Sequence, residues 1–326
     1  MRCVVYRGLG GPEVVAIEAR PDPFPSKFEV LIAPLFAGVN PADVLQREGQ
    51  HPVPPGWPTD IPGMEVAGPV VACGEAVTAF RPGDRAFGLV GGGGLADRVI
   101  AVERELVDVP PSLDDEAAAA VPEAFLTAFD SLVLQAGLAS GDTVLVNGAN
   151  GGVGTAAVQI ASALGATVVA SVRSEALRPR VAELGAVAAG AEEAFEHVRS
   201  RGGADVVIEL VGAPHMSGNL TALARGGRVV IVGSRPGDEA LFPLRDLMTR
   251  RAHVIGTTLR TRPPEQKALL VQEFGKRIVP LLADGSIAPV VHRVFPLAQA
   301  AHAIDYVREP GKFGKVLLEV SDSEDT

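Results

Sequence analysis

Val144–Gly154 reads VLVNGANGGVG, and Thr155–Leu164 continues it as TAAVQIASAL. An uncharged β-type run enters a glycine turn, and a helix of small residues leaves it. Gly148, Gly151 and Gly154 are spaced GxxGxxG, with Gly152 added. Residues without a Cβ let the chain turn tightly and let backbone approach a pyrophosphate closely. The helix that follows offers unpaired N–H groups to the anion. A glycine triplet alone also describes an ordinary tight turn. Here the context decides, because a strand precedes it, a helix follows it, and a second strand (Thr167–Ser171) comes about 20 residues on. The reading is a dinucleotide-binding βαβ unit. Ala149 stands where the usual GxGxxG has its first glycine.

Dinucleotide sites that prefer NAD carry Asp or Glu at the end of the second strand to bond the ribose 2′-OH. This strand instead runs out as Val172-Arg173-Ser174, with no carboxylate before Glu175. A guanidinium at Arg173 suits a 2′-phosphate, so the expected cofactor is NADPH. The competing reading of Arg173 is a solvated loop side chain.

Outward from the turn, strand-like and helix-like stretches alternate. Ala176–Leu184 reads as a helix, Asp205–Leu210 as a strand, Met216–Ala224 as a helix and Arg228–Gly233 as a strand, which predicts a parallel sheet. The first ~120 residues differ in texture. They are rich in Pro and Gly and hold short β-type runs at Val30–Ala33, Val66–Ala72 and Arg98–Val102. After Leu259 come a long helical pattern from Leu269 to Leu281 and two closing strands, Val290–Val294 and Gly314–Glu319. These closing strands read as a return to the first domain. A frayed acidic tail is expected over Ser321–Thr326.

The chain's 326 residues favour two domains, and 47% hydrophobic with 21% charged residues is ordinary for a large buried core. Its net charge of −10 speaks against nucleic acid or anionic membrane as partner. Cys3 and Cys73 cannot form a disulfide scaffold, which fits a reducing cytoplasm. The N-terminus lacks the apolar core of a signal peptide. Thr143–Val172 carries no charge over 30 residues, but its Asn and Gly loop would leave backbone unpaired in lipid. It is read as buried strand, turn, helix and strand.

Three residues are candidates for catalysis. Asn40 precedes Pro41 as a helix N-cap does, with Asp43 three residues on, so Asn40 is as readily structural as catalytic. His51 is read either as a proton donor or as a pocket wall, with Trp57 nearby as a stacking surface; the bland reading is a solvated loop histidine. Glu65 and Glu123 are read as partners of arginines or as braces of the domain junction. The six histidines show no HxxxH or HExxH spacing, no CxxC is present, and no GxSxG elbow argues for acyl transfer.

Several segments together resemble the quinone oxidoreductase family, the zinc-free branch of the medium-chain dehydrogenase/reductases. They are Asn40-Pro41-Ala42-Asp43 with Gln46-Arg47-Glu48-Gly49, Pro62–Gly68, Gly83-Asp84-Arg85, Leu126-Thr127-Ala128, Gly141-Asp142 with Val144–Gly154, and Gly311–Glu319. The resemblance runs from Met1 to about Val320. It implies an α/β fold, in which a doubly wound Rossmann sheet over 125–261 is inserted into a mainly β, GroES-like catalytic domain formed by 1–124 and 262–326. It implies a cofactor in the cleft between the domains and dimers formed by joining Rossmann sheets. It also implies NADPH contacts at Asn40, Thr127, Asn150, Gly151, Gly152, Val153, Ser171, Arg173, Ser174, Gly233 and Ser234. Leu177 stands where the family often has a lysine, and Ala186–Glu193 lacks the tyrosine many members carry. Zinc-dependent relatives have Cys, His and Cys where this chain carries Asn40, Met64 and Glu123; amide and thioether are poor zinc ligands, so no metal is expected.

The expected activity is hydride transfer from the nicotinamide C4 to a small quinone, with the proton coming from water or His51. Two alternatives stay open: reduction of an enone or enoyl thioester, and a non-catalytic NADPH-binding protein.

Overall fold

The computed structural model describes residues 1–234, 237 and 239–321. Strand β1 (Thr143–Asn147) is buried at every position, as an uncharged run in a sheet covered on both faces must be. It is followed by helix α1 (Gly152–Ala163), β2 (Thr167–Ser171), β3 (Ala186–Ala189), β4 (Ala204–Glu209), β5 (Leu223–Ile231) and β6 (His253–Gly256). Among the described residues these six strands form one sheet in the order β3-β2-β1-β4-β5-β6, with every neighbouring pair parallel. That is the doubly wound dinucleotide order. Strand order reverses between β1 and β4, where such sheets bind ligands at their carboxyl ends. The stretch Thr143–Val172 is strand, turn, helix and strand, as its composition implies. No helix among the described residues is long and apolar enough to cross a membrane.

Two elements escape the sequence pattern. Ala186–Ala189 (AVAA) has one β-branched residue and is a strand because β2 supplies its ladder. His253–Gly256 is a short edge strand, largely exposed and paired with β5 alone. The helix expected over Ala176–Leu184 is instead a 3₁₀ turn, Glu175–Leu177, followed by Arg178–Ala182. Pro179 has no N–H to give and restricts the residue before it, so it is accommodated only at a helix start. The same rule breaks the long helix expected from Leu269 to Leu281. It is Pro264–Arg277, then Val279–Ala283, with Pro280 just past the break.

The chain divides into two compact units. One comprises Met1–Leu126, Leu259–Gly285 and Pro289–Thr326; the other comprises Thr127–Thr258 and Ser286–Ala288. The sheet just described belongs to the second. The first is mainly β, with an antiparallel sheet of Val99–Val102, Glu29–Ile32, Glu65–Cys73, Arg85–Leu89 and Leu106–Asp108 in that order. A smaller sheet in it orders Val291–Pro296, Lys315–Glu319 and Phe36–Val39. Within that sheet Val316 pairs with Val39 and Leu317 with Gly38, which brings Lys315 beside Asn40. Ser321, expected to fray, is 6% exposed and donates its hydroxyl to the Pro34 carbonyl at 3.0 Å. The rest of the expected tail, 322–326, lies outside the described residues.

Candidate active site

In the sheet-bearing unit, the glycines of the β1–α1 turn answer to three different demands. Gly148 has φ +75°, a conformation L side chains rarely adopt. Its N–H and that of Ala149 donate to the Ser171 carbonyl at 3.2 and 3.3 Å, tying the turn to the end of β2. A Cβ at Gly154 would stand 2.5 Å from the Gly148 carbonyl oxygen, so close packing of helix on turn excludes any side chain there. Gly151 is different. It has ordinary extended backbone, and the nearest atom to a Cβ there is 3.9 Å away. Among the described residues nothing requires glycine at 151, whereas a backbone cradle for a bound group would. No side chain caps α1, so the N–H groups of its first turn have no intrahelical partner and sit at its positive end. This arrangement fits a dinucleotide pyrophosphate.

Residues expected at the cofactor lie along the carboxyl edge of the same sheet. Asn150, Gly151, Gly152 and Val153 follow β1, Ser171 ends β2 and is buried, and Gly233 and Ser234 follow β5. Arg173 is exposed and makes no ion pair among the described residues, and Ser174 opens the 3₁₀ turn. Thr127 is buried in the same unit, its carbonyl accepting the Ser131 hydroxyl at 2.7 Å.

Sequence reasoning missed Glu209, the last residue of β4, which is fully buried. One carboxylate oxygen accepts the N–H groups of Val211 and Gly212 at 2.7 and 2.8 Å. The other accepts the amides of Asn147 and Asn219 at 2.8 and 2.6 Å. Glu209 thus clamps the ends of β1 and β4 at the strand reversal, holding Asn147, the residue just before Gly148 of the glycine turn. A carboxylate closing an otherwise apolar run (DVVIEL) was the available signal.

In the other unit, Asn40 is the N-cap of helix Pro41–Arg47, in a capping box with Asp43. Asp43 closes the first turn, one carboxylate oxygen accepting the Asn40 N–H at 2.7 Å and the other the Gly63 N–H at 3.0 Å. Burial pushes the Asp43 carboxyl up to about 6, against the opposing pull of those two hydrogen bonds and of Arg260 and Lys315. Asp43 therefore braces backbone, and both its oxygens are occupied.

The Asn40 side chain faces a buried charge pair. Lys315 Nζ lies 2.6 Å from Glu65 Oε1 and 2.7 Å from Asn40 Oδ1, and Asn40 Nδ2 donates to Glu65 Oε1 at 2.7 Å. Glu65 Oε2 accepts the Glu123 N–H at 2.8 Å, satisfying an orphan donor at the start of helix Pro122–Phe129. Asn40, Glu65 and Lys315 are respectively 2%, 1% and 5% exposed. Of the two readings of Glu65, pairing with arginine is replaced by pairing with a lysine. Asn40, Met64 and Glu123 do not fit a metal ion. The Asn40 amide is engaged by both partners, an ammonium stands against it, and no group of three or more His, Cys, Asp or Glu among the described residues could hold one.

His51 lies in a loop of the same unit, half-buried. Arg260, 5% exposed, donates to the His51 carbonyl (3.3 Å), the Gly91 carbonyl (2.9 Å) and Gln46 Oε1 (2.7 Å). Burial, and then the Arg260 charge, hold the His51 imidazole below its usual value. It is therefore largely neutral at pH 7, which removes the imidazolium a proton donor needs. Trp57 lies against Gly91, where a Cβ would be 2.4 Å from its ring. The Lys267 ammonium stands 5.7 Å from the Trp57 ring centre and pairs with buried Glu105 at 3.0 Å.

Comparison with known proteins follows the same division. Residues 26–111 match the Alcohol dehydrogenase GroES-like domain, and residues 152–274 match the Zinc-binding dehydrogenase family. The chain is 35% identical to the quinone oxidoreductase of Lama guanicoe over 332 residues, covering 98% of this chain and 97% of that one. Among solved structures, the quinone oxidoreductase of Thermus thermophilus, also solved in complex with NADPH, is 35% identical with a TM-score of 0.84, over 98% of this chain and 99% of that one. An NAD-dependent alcohol dehydrogenase is 32% identical with a TM-score of 0.85, over 98% of this chain and 100% of that one.

Proposed function

The chain belongs to the quinone oxidoreductase family of medium-chain dehydrogenase/reductases, and from that premise we propose that it is a zinc-independent NADPH:quinone oxidoreductase. The observation that carries the cofactor half is the glycine turn with Gly151 unexplained by packing among the described residues, followed by a β2 end that offers Arg173 and no carboxylate. When bound, NADPH supplies a hydride. Arg173 pairs with the 2′-phosphate, and the α1 amides face the pyrophosphate.

A quinone suits the other half. Its carbonyls are already electrophilic and its reduced form is aromatic, so it needs no Lewis acid to accept hydride. The residues around Asn40 offer hydrogen-bond donors in place of a metal. His51, neutral at pH 7, lines the substrate pocket, and the product oxyanion takes its proton from water. Two copies join through the exposed edge strand β6. In the segment before that strand, Leu241, Leu244 and Met248 are exposed apolar side chains, at 92%, 67% and 75% exposure.

NADPH consumption is measured without acceptor, then with 1,2-naphthoquinone, then with a trans-2-enal. We expect turnover with the quinone. Turnover with the enal alone would assign enone reduction, and tight NADPH binding without any turnover would make the protein a non-catalytic binder. Arg173→Ala should weaken NADPH ten- to hundredfold, the worth of one charge-assisted hydrogen bond of about 1.5–3 kcal/mol, and spare NADH. Equal weakening of both would leave Arg173 only a loop-shaping role.

A further inference from the structure

We infer that Lys315 and Glu65 are positioning residues that lock the Asn40 amide in one orientation, so that its remaining N–H donates to the oxygen of the acceptor that gains negative charge. The inference deepens the proposed function and rests on it for the identity of that acceptor.

An asparagine side chain has two nearly isosteric orientations, and its surroundings select one. Here the selection is unambiguous. Lys315 Nζ can only donate, so the atom 2.7 Å from it is the amide oxygen. Glu65 accepts at both oxygens, from Asn40 and Lys315 at Oε1 and from the Glu123 N–H at Oε2, so the atom of Asn40 facing it is the amide nitrogen. One hydrogen of Nδ2 is spent on Glu65. The other has no partner among the described residues, although Asn40 is 2% exposed. A buried donor left unpaired is costly unless a ligand takes it.

The surroundings keep this arrangement closed. Sheet pairing of Lys315–Glu319 with Phe36–Val39 fixes the lysine's position, and Gly38 leaves room for the carboxylate, since a Cβ there would lie 2.1 Å from Glu65 Oε1. A helix N-terminus can engage only the amide oxygen of Asn40, so it makes no claim on Nδ2, while Asp43 accepts the Asn40 N–H. An amide held rigidly by an ion pair, its nitrogen unclaimed by the helix and with one N–H unassigned, is built as a fixed donor. Hydride addition to a quinone places two electrons on the ring system and a negative charge on one oxygen. A fixed donor bonds that oxyanion more strongly than the ground-state carbonyl, without reorganising.

The test is a double-mutant cycle of Asn40→Ala and Lys315→Met, with Lys315→Arg as rescue and Glu65→Gln/Lys315→Met as a charge-neutral pair in case Lys315→Met alone fails to fold. Two readouts are taken: kcat with 1,2-naphthoquinone at saturating NADPH, and the absorbance shift of 4-nitrophenolate, an aryl oxyanion, on binding to the NADP⁺-loaded protein. We expect Asn40→Ala to lower kcat about 10²-fold and to abolish the nitrophenolate shift. Lys315→Met, or the neutral pair, should lower kcat about tenfold in the wild type, diminish the shift, and have no further effect on either readout in the Asn40→Ala background. Lys315→Arg should restore both. An equal loss from Lys315→Met with and without Asn40, or no change in either readout, would overturn the inference. A wild type that turns over no quinone, yet shows a nitrophenolate shift dependent on Asn40 and Lys315, would refute the proposed function and leave the inference standing.

Discussion

The glycine turn after β1 and the Asn40–Glu65–Lys315 cluster are built by opposite means. The turn is eleven consecutive residues, 144–154, and what it presents is backbone. The cluster draws on segments up to 275 positions apart, and what it presents is side chains fixed by sheet register. A site made of backbone depends on what is absent, namely a Cβ. A site made of a buried charge pair depends on every member being present, because removing one strands the other's charge. The two regions should therefore fail differently under substitution.

The sharpest way to break the contrast is Gly38→Ala. Gly38 lies in strand Phe36–Val39 without left-handed backbone, so alanine is acceptable in conformation, but its Cβ would fall 2.1 Å from Glu65 Oε1. One methyl group should therefore act like loss of a buried ion pair, about 3–5 kcal/mol of stability by chemical denaturation. Loss below about 1 kcal/mol would mean the cluster adapts as a loop does.

Asp43→Asn probes the same region through pH. Native Asp43 keeps its proton up to about 6 against an ordinary 3.8, so the folded chain binds more protons than the unfolded one between those values. Its contribution to stability is fully present below pH 3.8 and is lost as pH rises through about 6. The asparagine variant lacks this dependence. From pH 4 to pH 7 its stability should improve relative to wild type by about 2 kcal/mol. A stability difference that does not change with pH would contradict the burial argument.

Within the turn, Gly154→Ala should destabilise the fold by about 1–3 kcal/mol, as overpacking does. Gly151→Ala should change stability by less than about 0.5 kcal/mol. Because nothing among the described residues fills the space at 151, its effect should appear as a roughly tenfold weaker NADPH Kd, read by equilibrium titration. Identical behaviour of the two variants would remove the distinction between glycine for packing and glycine for a ligand.

The same contrast explains what could be read in the sequence. The sheet-bearing unit was legible because strand, turn and helix are neighbours in the chain, and periodicity reports local structure. Its misreadings, at Pro179 and in the weak strand Ala186–Ala189, like that at Pro280 in the other unit, arose where one residue's backbone chemistry or a neighbouring strand overrode the pattern. The cluster was legible only in part. Asn40 and Asp43 could be singled out from their spacing, but not the division of labour that has Asp43 close the turn while the Asn40 amide also meets Glu65 and Lys315. Lys315 lay within the Gly311–Glu319 segment of the resemblance, but nothing singled it out there, since its importance comes from pairing Lys315–Glu319 with Phe36–Val39. His51 was found by type and place. Its lowered basicity comes from burial and then from Arg260, more than 200 positions away.

The division of labour itself can be measured on Arg173→Ala and Asn40→Ala side by side, as NADPH Kd by titration and kcat with 1,2-naphthoquinone at saturating NADPH. Arg173→Ala should raise Kd ten- to hundredfold. Asn40→Ala should lower kcat about 10²-fold and leave Kd within about twofold of wild type. A raised Kd with unaltered kcat in Asn40→Ala would place that residue on the cofactor and contradict the assignment of acceptor chemistry to the cluster.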